Sequence, residues 1–193
     1  MSSKVKKYII TAVVLGSIAM ASGLLIGVTN LVTKDQIAKN EKNKLNIGVK
    51  NIFGEGAMIY NDSIIDAKER EELGSKYIEH VYYIGVEHSN GLSKTTTPIG
   101  CAFKSTGSNM YGKISLLIGF NEVFFYQNIY LIKNEQTYAS TLVENYVEPI
   151  QEKGRDYETI DVKCGATYGA KLVKELIEDA RAVASKINGF GQS

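Results

Sequence analysis

A chain of 193 residues with 22 basic and 21 acidic side chains has room for one ordinary domain plus a short appendage. Its formal charge of +1, two cysteines and two histidines offer no basic footprint for nucleic acid, no CxxC or HExxH pattern and no cluster of metal ligands. His80 and His88 lack neighbours at ligand spacing, so each reads as a surface or satisfied core histidine, and no metal is expected.

Taken in chain order, Lys4, Lys6 and Lys7 precede an apolar run, Tyr8 to Val32, that carries no charged side chain. About 25 residues at a rise of ~1.5 Å give roughly 37 Å, enough to cross a hydrocarbon core of ~30 Å. A cleaved signal peptide is the rival reading, because Ala19-Met20-Ala21 mimics a small-residue cleavage site. The run continues through Leu24, Leu25, Ile26 and Val28, well past that point, which favours an uncleaved anchor. Ala12, Gly16, Gly23 and Gly27 share one helical stripe. They either admit a second membrane helix or simply reflect the abundance of small residues in such segments. The leading lysines favour a cytoplasmic N-terminus. Lys34, Lys39, Lys42 and Lys44 beyond the run weigh the other way, although long domains cross with little regard to charge.

From Thr33 to Phe53, Ile37, Leu45, Val49, Ile52 and Phe53 stand at helical spacing among lysines and asparagines, whose charges also suit a plain solvated face. Short strands are expected at Met58–Tyr60 and Ile64–Ile65, with a helical turn at Lys68–Leu73. Alternation from Tyr77 to Glu87 reads as a strand, followed by a loop from His88 through Gly91 to Pro98. A strand at Ile99–Lys104, a turn at Ser105–Asn109, and strands at Lys113–Phe120 and Val123–Ile132 joined by Asn121-Glu122 complete a sheet. Gly107 to Lys113 imitates a phosphate-binding P-loop, but Ile114 replaces the required hydroxyl and a strand follows, so that role is rejected. Leu142, Val143, Tyr146, Val147 and Ile150 give a helix over Tyr138–Ile150, with a loop at 151–160.

Asp161-Val162-Lys163-Cys164-Gly165-Ala166-Thr167 is a turn of mostly small residues that runs into an amphipathic helix. Ala170, Val173, Leu176, Ile177, Ala180, Val183, Ala184 and Ile187 form its apolar face. Thr167 falls near the helix start, beside unpaired backbone N–H groups at the positive end of the dipole. Two readings stay open there: a plain N-cap, or a seat for a phosphate that Gly165 and Ala166 are too small to obstruct. Cys101 and Cys164 are able to pair if the domain lies outside the cytoplasm, although a bridge would constrain the turn awkwardly.

The stretch Asp161-x-x-Cys164-Gly165-Ala166-Thr167 resembles the flavinylation motif, Asp-x-x-(Ser/Thr)-Gly-Ala-Thr, of the FMN-binding domain family. That domain occurs in the G subunit of the Rnf electron-transport complex and in the C subunit of the sodium-pumping NADH:quinone oxidoreductase. Leu31-Val32-Thr33-Lys34-Asp35-Gln36-Ile37 also resembles the juxtamembrane stretch of the Rnf G subunits, and Tyr111-Gly112-Lys113-Ile114 is similar to the family's Gly-Tyr-x-Gly-x-Ile. Asn134 to Ser140 stands where the family has Glu-Thr-Pro-Gly-x-Gly, a loop that packs on the flavin. There Thr137 is matched, and Gln136, or Glu135 after a one-residue shift, takes the place of the glutamate. Tyr168-Gly169-Ala170 departs from the family's x-Thr-Ser, so two hydroxyls are missing.

The resemblance implies a covalent FMN on Thr167 as a phosphoester, installed by a flavin transferase. Asp161 would lie in the segment the transferase recognises, and Cys164, Gly165, Ala166, Tyr111, Gly112 and Thr137 near the cofactor. It implies an α+β fold, an antiparallel sheet flanked by helices with one N-terminal transmembrane helix. The expected layout is a cytoplasmic stub at 1–7, a span at 8–32, a juxtamembrane helix at 33–53 and an extracytoplasmic FMN-binding domain at 54–193. No catalytic acid–base pair or nucleophile–base constellation is present. The function implied is a single-pass cell-membrane subunit that relays electrons among other membrane subunits of an Rnf-type ion-translocating complex. The quinone-reductase C subunit, a stand-alone anchored flavoprotein and a flavin-free scaffold are the alternatives.

Overall fold

The computed structural model describes residues 3–90 and 93–187. It divides into two units, Met1–Asn43 and Lys44–Ser193. Helix α1 (Ser3–Phe53) begins in the first and ends in the second, and from Tyr8 to Val32 it exposes its apolar side chains on every side. A helix that is apolar all round needs a nonaqueous surrounding. It is the one helix among the described residues long and apolar enough to cross a membrane, and a signal sequence would pass the same test. Thr11, Ser17 and Thr29 each donate a hydroxyl hydrogen bond to the carbonyl four residues back, at 2.8–3.0 Å. Polar groups that satisfy themselves in this way suit hydrocarbon. A Cβ built on Gly16, Gly23 or Gly27 would meet nothing within 4 Å.

In the second unit five strands pair antiparallel in sequence order: β1 (Ala57–Ile64), β2 (Ile78–Asn90), β3 (Ser93–Asn109), β4 (Gly112–Asn121) and β5 (Tyr126–Asn134). The architecture is α+β. Its pivot is β4, buried from Ile114 to Phe120. Period-2 alternation sends Ile114, Leu116, Ile118 and Phe120 to one face and Leu117 to the other, so the strand serves two cores and reads as an apolar run. On the first face pack α3 (Ala139–Leu142), α4 (Glu148–Lys153) and α5 (Thr167–Ala184), whose Ala170, Val173, Leu176, Ile177 and Ala180 are fully buried. On the second lie Leu45, Val49, Ile52 and Phe53 of α1. The short helix α2 (Ala67–Leu73) starts at a capping box, with Asp66 accepting from the N–H groups of Lys68 and Glu69 while Glu69 accepts from that of Asp66.

Several local expectations need correction. Met58–Tyr60 and Ile64 belong to one strand, β1, interrupted by a bulge between Ile59 and Asn61, and Ile65 lies just past its end. Most of the loop expected at 88–98 is strand. Residues 88–90 pair with 93–95, β-branched threonines carry the pairing to Thr97, and Pro98 sits where the register shifts. Gly91 lies outside the described residues. The turn expected at Ser105–Asn109 is also strand, and the reversal falls on Met110-Tyr111. Strand β5 begins at Tyr126 rather than Val123. Asn121 folds the chain first, its Oδ1 accepting from the N–H groups of Val123 and Phe125 at 3.1 and 2.9 Å. In place of a uniform helix over 138–150, a π-helical turn at Val143–Val147 joins α3 to α4. Pro149 explains it, because a prolyl ring has no N–H for the carbonyl of Asn145 and would crowd it in an α-helix. Residues 151–153 finish α4, and Gly154–Thr159 form a 3₁₀ turn rather than a loop.

His80 is not a satisfied histidine. It stacks on Tyr82, with centroids 5.7 Å apart and planes 4° apart, and its Nδ1 is buried without a hydrogen-bond partner. Burial lowers its pKa below 6.5, assisted by Lys104 and opposed by Glu79 and Asp62. The unfolded chain therefore binds the proton more readily. Stability is full above pH 6.5 and is lost as pH falls through the lower folded value. Urea unfolding is expected to show a midpoint that drops between about pH 7.5 and about pH 5.5, with a smaller drop in His80→Gln. Equal drops in the two proteins would remove His80 from the account. Cys101, fully buried in the first core, and Cys164 are both free thiols. Burial pushes the Cys101 thiol far up, so it stays protonated.

Candidate functional site at the start of helix α5

Three segments distant in sequence meet at the N-terminus of α5. The first is the β3–β4 turn. Asn109 holds it by accepting from the Tyr111 N–H at 2.9 Å, and its Nδ2 donates to the Tyr168 carbonyl at 3.1 Å. Gly112 follows with φ +135°, and a Cβ there would lie 2.1 Å from the carbonyl oxygen of Glu135. Only glycine fits, because the backbones of two segments touch at that point.

The second segment, 135–138, is fastened to the first along its length. Glu135 N–H donates to Lys113 O at 2.8 Å, and Thr137 donates to Tyr111 O through its N–H at 3.0 Å and its hydroxyl at 3.3 Å. The Glu135 carboxylate turns outward to Lys133, 2.7 Å away, and this partner holds it below the usual carboxylate range. Gln136 is the side chain that turns inward. It is buried, and its Nε2 donates to Gly112 O at 2.5 Å.

The third segment is the turn 161–166. Asp161 Oδ1 accepts from the Lys163 N–H at 3.0 Å, Cys164 N–H donates to Val162 O at 3.0 Å, and Asn145 of the π-helical turn donates to Cys164 O at 2.9 Å. Gly165 stands at φ +86°, a left-handed conformation that reverses the chain into the helix. Ala166 is the N-cap residue and has no side-chain oxygen to offer. Thr167 is the first helical residue, so the plain N-cap reading of its hydroxyl does not hold. Thr167 is half-buried, and its hydroxyl makes no hydrogen bond among the described residues. The first paired amide is Ala170, donating to Ala166 O at 3.0 Å. The N–H groups of Thr167, Tyr168 and Gly169 are left without helical acceptors at the positive end of the dipole.

Between the three segments lies a cavity of about 250 Å³. Tyr111, Gln136, Tyr138 and Leu142 line one side, and the backbone and side chains of 165–169 line the other. The Tyr111 ring stands 5.3 Å from that of Tyr168 and 6.2 Å from that of Tyr138, and both outer rings are more than half exposed. Of the residues expected from the sequence, Tyr111, Gly165, Ala166 and Thr167 come together on the cavity wall. Gly112, Thr137, Asp161 and Cys164 do not line it. Tyr138, Leu142, Tyr168 and Gly169 complete it without having been expected as ligands, their only sequence signal being position beside the motif residues, and of the two alternatives Gln136 and Glu135 it is Gln136 that lines the cavity.

Chemically the cavity offers an unbonded hydroxyl, three unpaired amides, one amide side chain and aromatic faces. That set fits a phosphate joined to a flat aromatic group. The volume falls a little below the ~300–1,000 Å³ of pockets that enclose small molecules, so a ligand of this kind would keep one face in solvent. Among the described residues no histidine, carboxylate, lysine or arginine lines it, and none of them stands on the cavity wall as a base for the Thr167 hydroxyl. Among the described residues no group of three or more His, Cys, Asp or Glu side chains is arranged to hold a metal ion.

Compared with known families, residues 1–47 match the model of the RnfG N-terminal region. No curated protein matches the chain. The matched residues contain the apolar part of α1, and the cavity lies outside them. On this match the chain resembles the G subunit of the Rnf complex, and the match supports a subunit of an Rnf-type electron-transport complex.

Proposed function

We propose that the protein is a membrane-anchored flavoprotein subunit that relays electrons through an FMN esterified to Thr167. The observation that carries this reading is Thr167, which lines the cavity at a helix start without a side-chain cap and whose hydroxyl makes no hydrogen bond among the described residues. Bound FMN would supply one- and two-electron redox chemistry. The chain's part is to hold it. The free amides of Thr167, Tyr168 and Gly169 meet the phosphate, Gly165 and Ala166 leave it room, and the tyrosines offer their faces to the ring.

Helix-end electrostatics contribute only about 0.3–2 kcal/mol, under roughly thirtyfold in affinity. An ester bond holds the cofactor where no dependable pool of free flavin exists. Because nothing beside Thr167 activates it, attachment falls to a separate flavin transferase. The apolar part of α1 anchors the chain in the cell membrane, with the N-terminus cytoplasmic and the second unit outside. Other membrane subunits of the complex take and give the electrons, and the subunit is no stand-alone catalyst.

The test is intact-protein mass spectrometry of the full chain made with a flavin transferase, together with a denaturing gel viewed under ultraviolet light. One FMN per chain and a fluorescent band are expected. A dark band of unmodified mass would leave an anchored scaffold instead. Asp161 shapes the exposed turn through its bond to Lys163. Asp161→Ala is therefore expected to lower the loaded fraction severalfold with thermal melting unchanged, and full loading would remove it from the recognised segment.

A further inference from the structure

We propose that a second cavity, where the β4–β5 turn, the 3₁₀ turn and helix α5 meet, is a binding site for a carboxylate carried on a small apolar group. It shares no lining residue with the cavity at the start of α5, so it does not depend on the flavin reading.

The cavity measures about 120 Å³ and is lined by Phe125, Tyr126, Arg155, Tyr157 and Arg181. Each residue comes to it for a local reason. Asn121 folds the β4–β5 turn, and within it Phe124 takes φ +59°, a left-handed conformation that is strained for a bulky residue. Phe124 packs on the first core, while Phe125 is left 65% exposed on the cavity wall. Tyr126 opens β5 and is buried, its ring 4.8 Å from that of Tyr157. Arg155 and Tyr157 stand in the 3₁₀ turn, and Arg181 in the last turn of α5.

The polar groups of these side chains are hydrogen-bond donors short of acceptors. Arg155 Nη2 donates to Gln127 Oε1 at 3.3 Å, a neutral group and its one partner among the described residues. Arg181 Nη1 donates to the Tyr157 hydroxyl at 3.0 Å and to Glu158. That leaves the Nε and Nη2 donors of Arg181 without a hydrogen-bond partner among the described residues. The Tyr126 hydroxyl is buried and has no partner, and burial raises its pKa, so it keeps its proton. A buried donor without an acceptor is costly. Among the described residues no carboxylate lines the cavity, since Glu158 meets Arg181 from outside it. What completes the set is an acceptor with negative charge, and a planar carboxylate matches the guanidinium fork. The aromatic walls favour carbon behind that carboxylate, and the small volume admits only a few atoms of it, with the remainder lying on the exposed ring of Phe125.

The chain has three arginines, Arg70, Arg155 and Arg181. Isotope-labelled arginine therefore gives two side-chain N–H reporters at the site and, in Arg70 of α2, a control outside it. The full chain in lipid nanodiscs is titrated with phenylacetate and followed by NMR. The Arg155 and Arg181 signals are expected to move along one saturating curve while that of Arg70 stays in place. Arg155→Gln should weaken binding roughly tenfold, about the worth of one charge-assisted hydrogen bond, with an unchanged melting temperature. Tyr126→Phe should weaken it roughly threefold and melt no lower than wild type, because the deleted hydroxyl has no partner to lose. Unmoved Arg155 and Arg181 signals, equal movement of Arg70, or full-strength binding by Arg155→Gln would overturn the proposal. Inorganic phosphate binding as tightly as phenylacetate would overturn it as well, since the apolar group would then contribute nothing. A short peptide ending in a free phenylalanine carboxylate separates the two sources of such a ligand. Tighter binding than phenylacetate gives the end of a partner chain, and weaker binding gives a free acid.

Discussion

Thr167→Val, made with a flavin transferase, is expected to lose covalent flavin completely while melting at the wild-type temperature. Valine has nearly the shape of threonine and lacks only the oxygen to which a phosphate can be joined. Its structural cost is small because the Thr167 hydroxyl makes no hydrogen bond among the described residues and the N-cap position belongs to Ala166. A capping hydroxyl would behave differently, since its removal costs about 0.5–2 kcal/mol. The two roles therefore separate in one pair of measurements. Lost flavin with an unchanged melt supports attachment, and a lowered melt with retained flavin would make Thr167 a structural residue.

The second large effect is expected at Gly112. An alanine there places a methyl group 2.1 Å from a backbone oxygen while holding φ at +135°. Neither the strand end nor the 135–138 segment is able to yield without breaking the bonds from Glu135 and Gln136. Strain of about 1–3 kcal/mol for the backbone, with a similar amount for overpacking, gives roughly 2–6 kcal/mol. At about 2–4 °C per kcal/mol for a domain of this size, the melting temperature should fall by roughly 4–24 °C. Flavin loading should fall with it, because Tyr111 and Gln136 flank this residue on the cavity wall. A melt within about 2 °C of wild type would mean that the two segments do not touch as described.

How far the sequence carried this picture differs from element to element. The helical face of α5 was legible because its apolar residues recur at helical spacing and all face one core. The run of β4 was legible as well, although its burial on both faces comes from α1 packing on the far side, which no local pattern shows. The hairpin of β2 and β3 was harder. Its outer half is built from histidine, lysine, serine and threonine, a composition shared by loops, and only the pairing shows it to be strand. Gly107, Ser108 and Asn109 mimic a turn, yet the chain reverses two residues later, where Asn109 caps Tyr111 and Gly112 alone tolerates the contact with Glu135. The π-helical turn was hidden because its cause, Pro149, reads in sequence as an ordinary first-turn proline. At the cavity, the motif located Thr167 and the turn before it. Its aromatic wall was not legible, because Tyr111, Tyr138 and Tyr168 come from three segments that only the folded sheet brings together. For the same reason, sequence left Gln136 and Glu135 as alternatives. The outward pairing of Glu135 with Lys133 separates them.

The hydroxyls of α1 bear on how such a subunit is made. Thr11, Ser17 and Thr29 are already bonded to carbonyls of their own helix, so on the membrane reading the segment requires no companion helix before it partitions into lipid. Biogenesis can then run in separate stages: insertion of a lone anchor, folding of the tethered unit, modification by the transferase, and only afterwards recruitment into the complex. A subunit built in that order can be matured and checked before any partner has been synthesised.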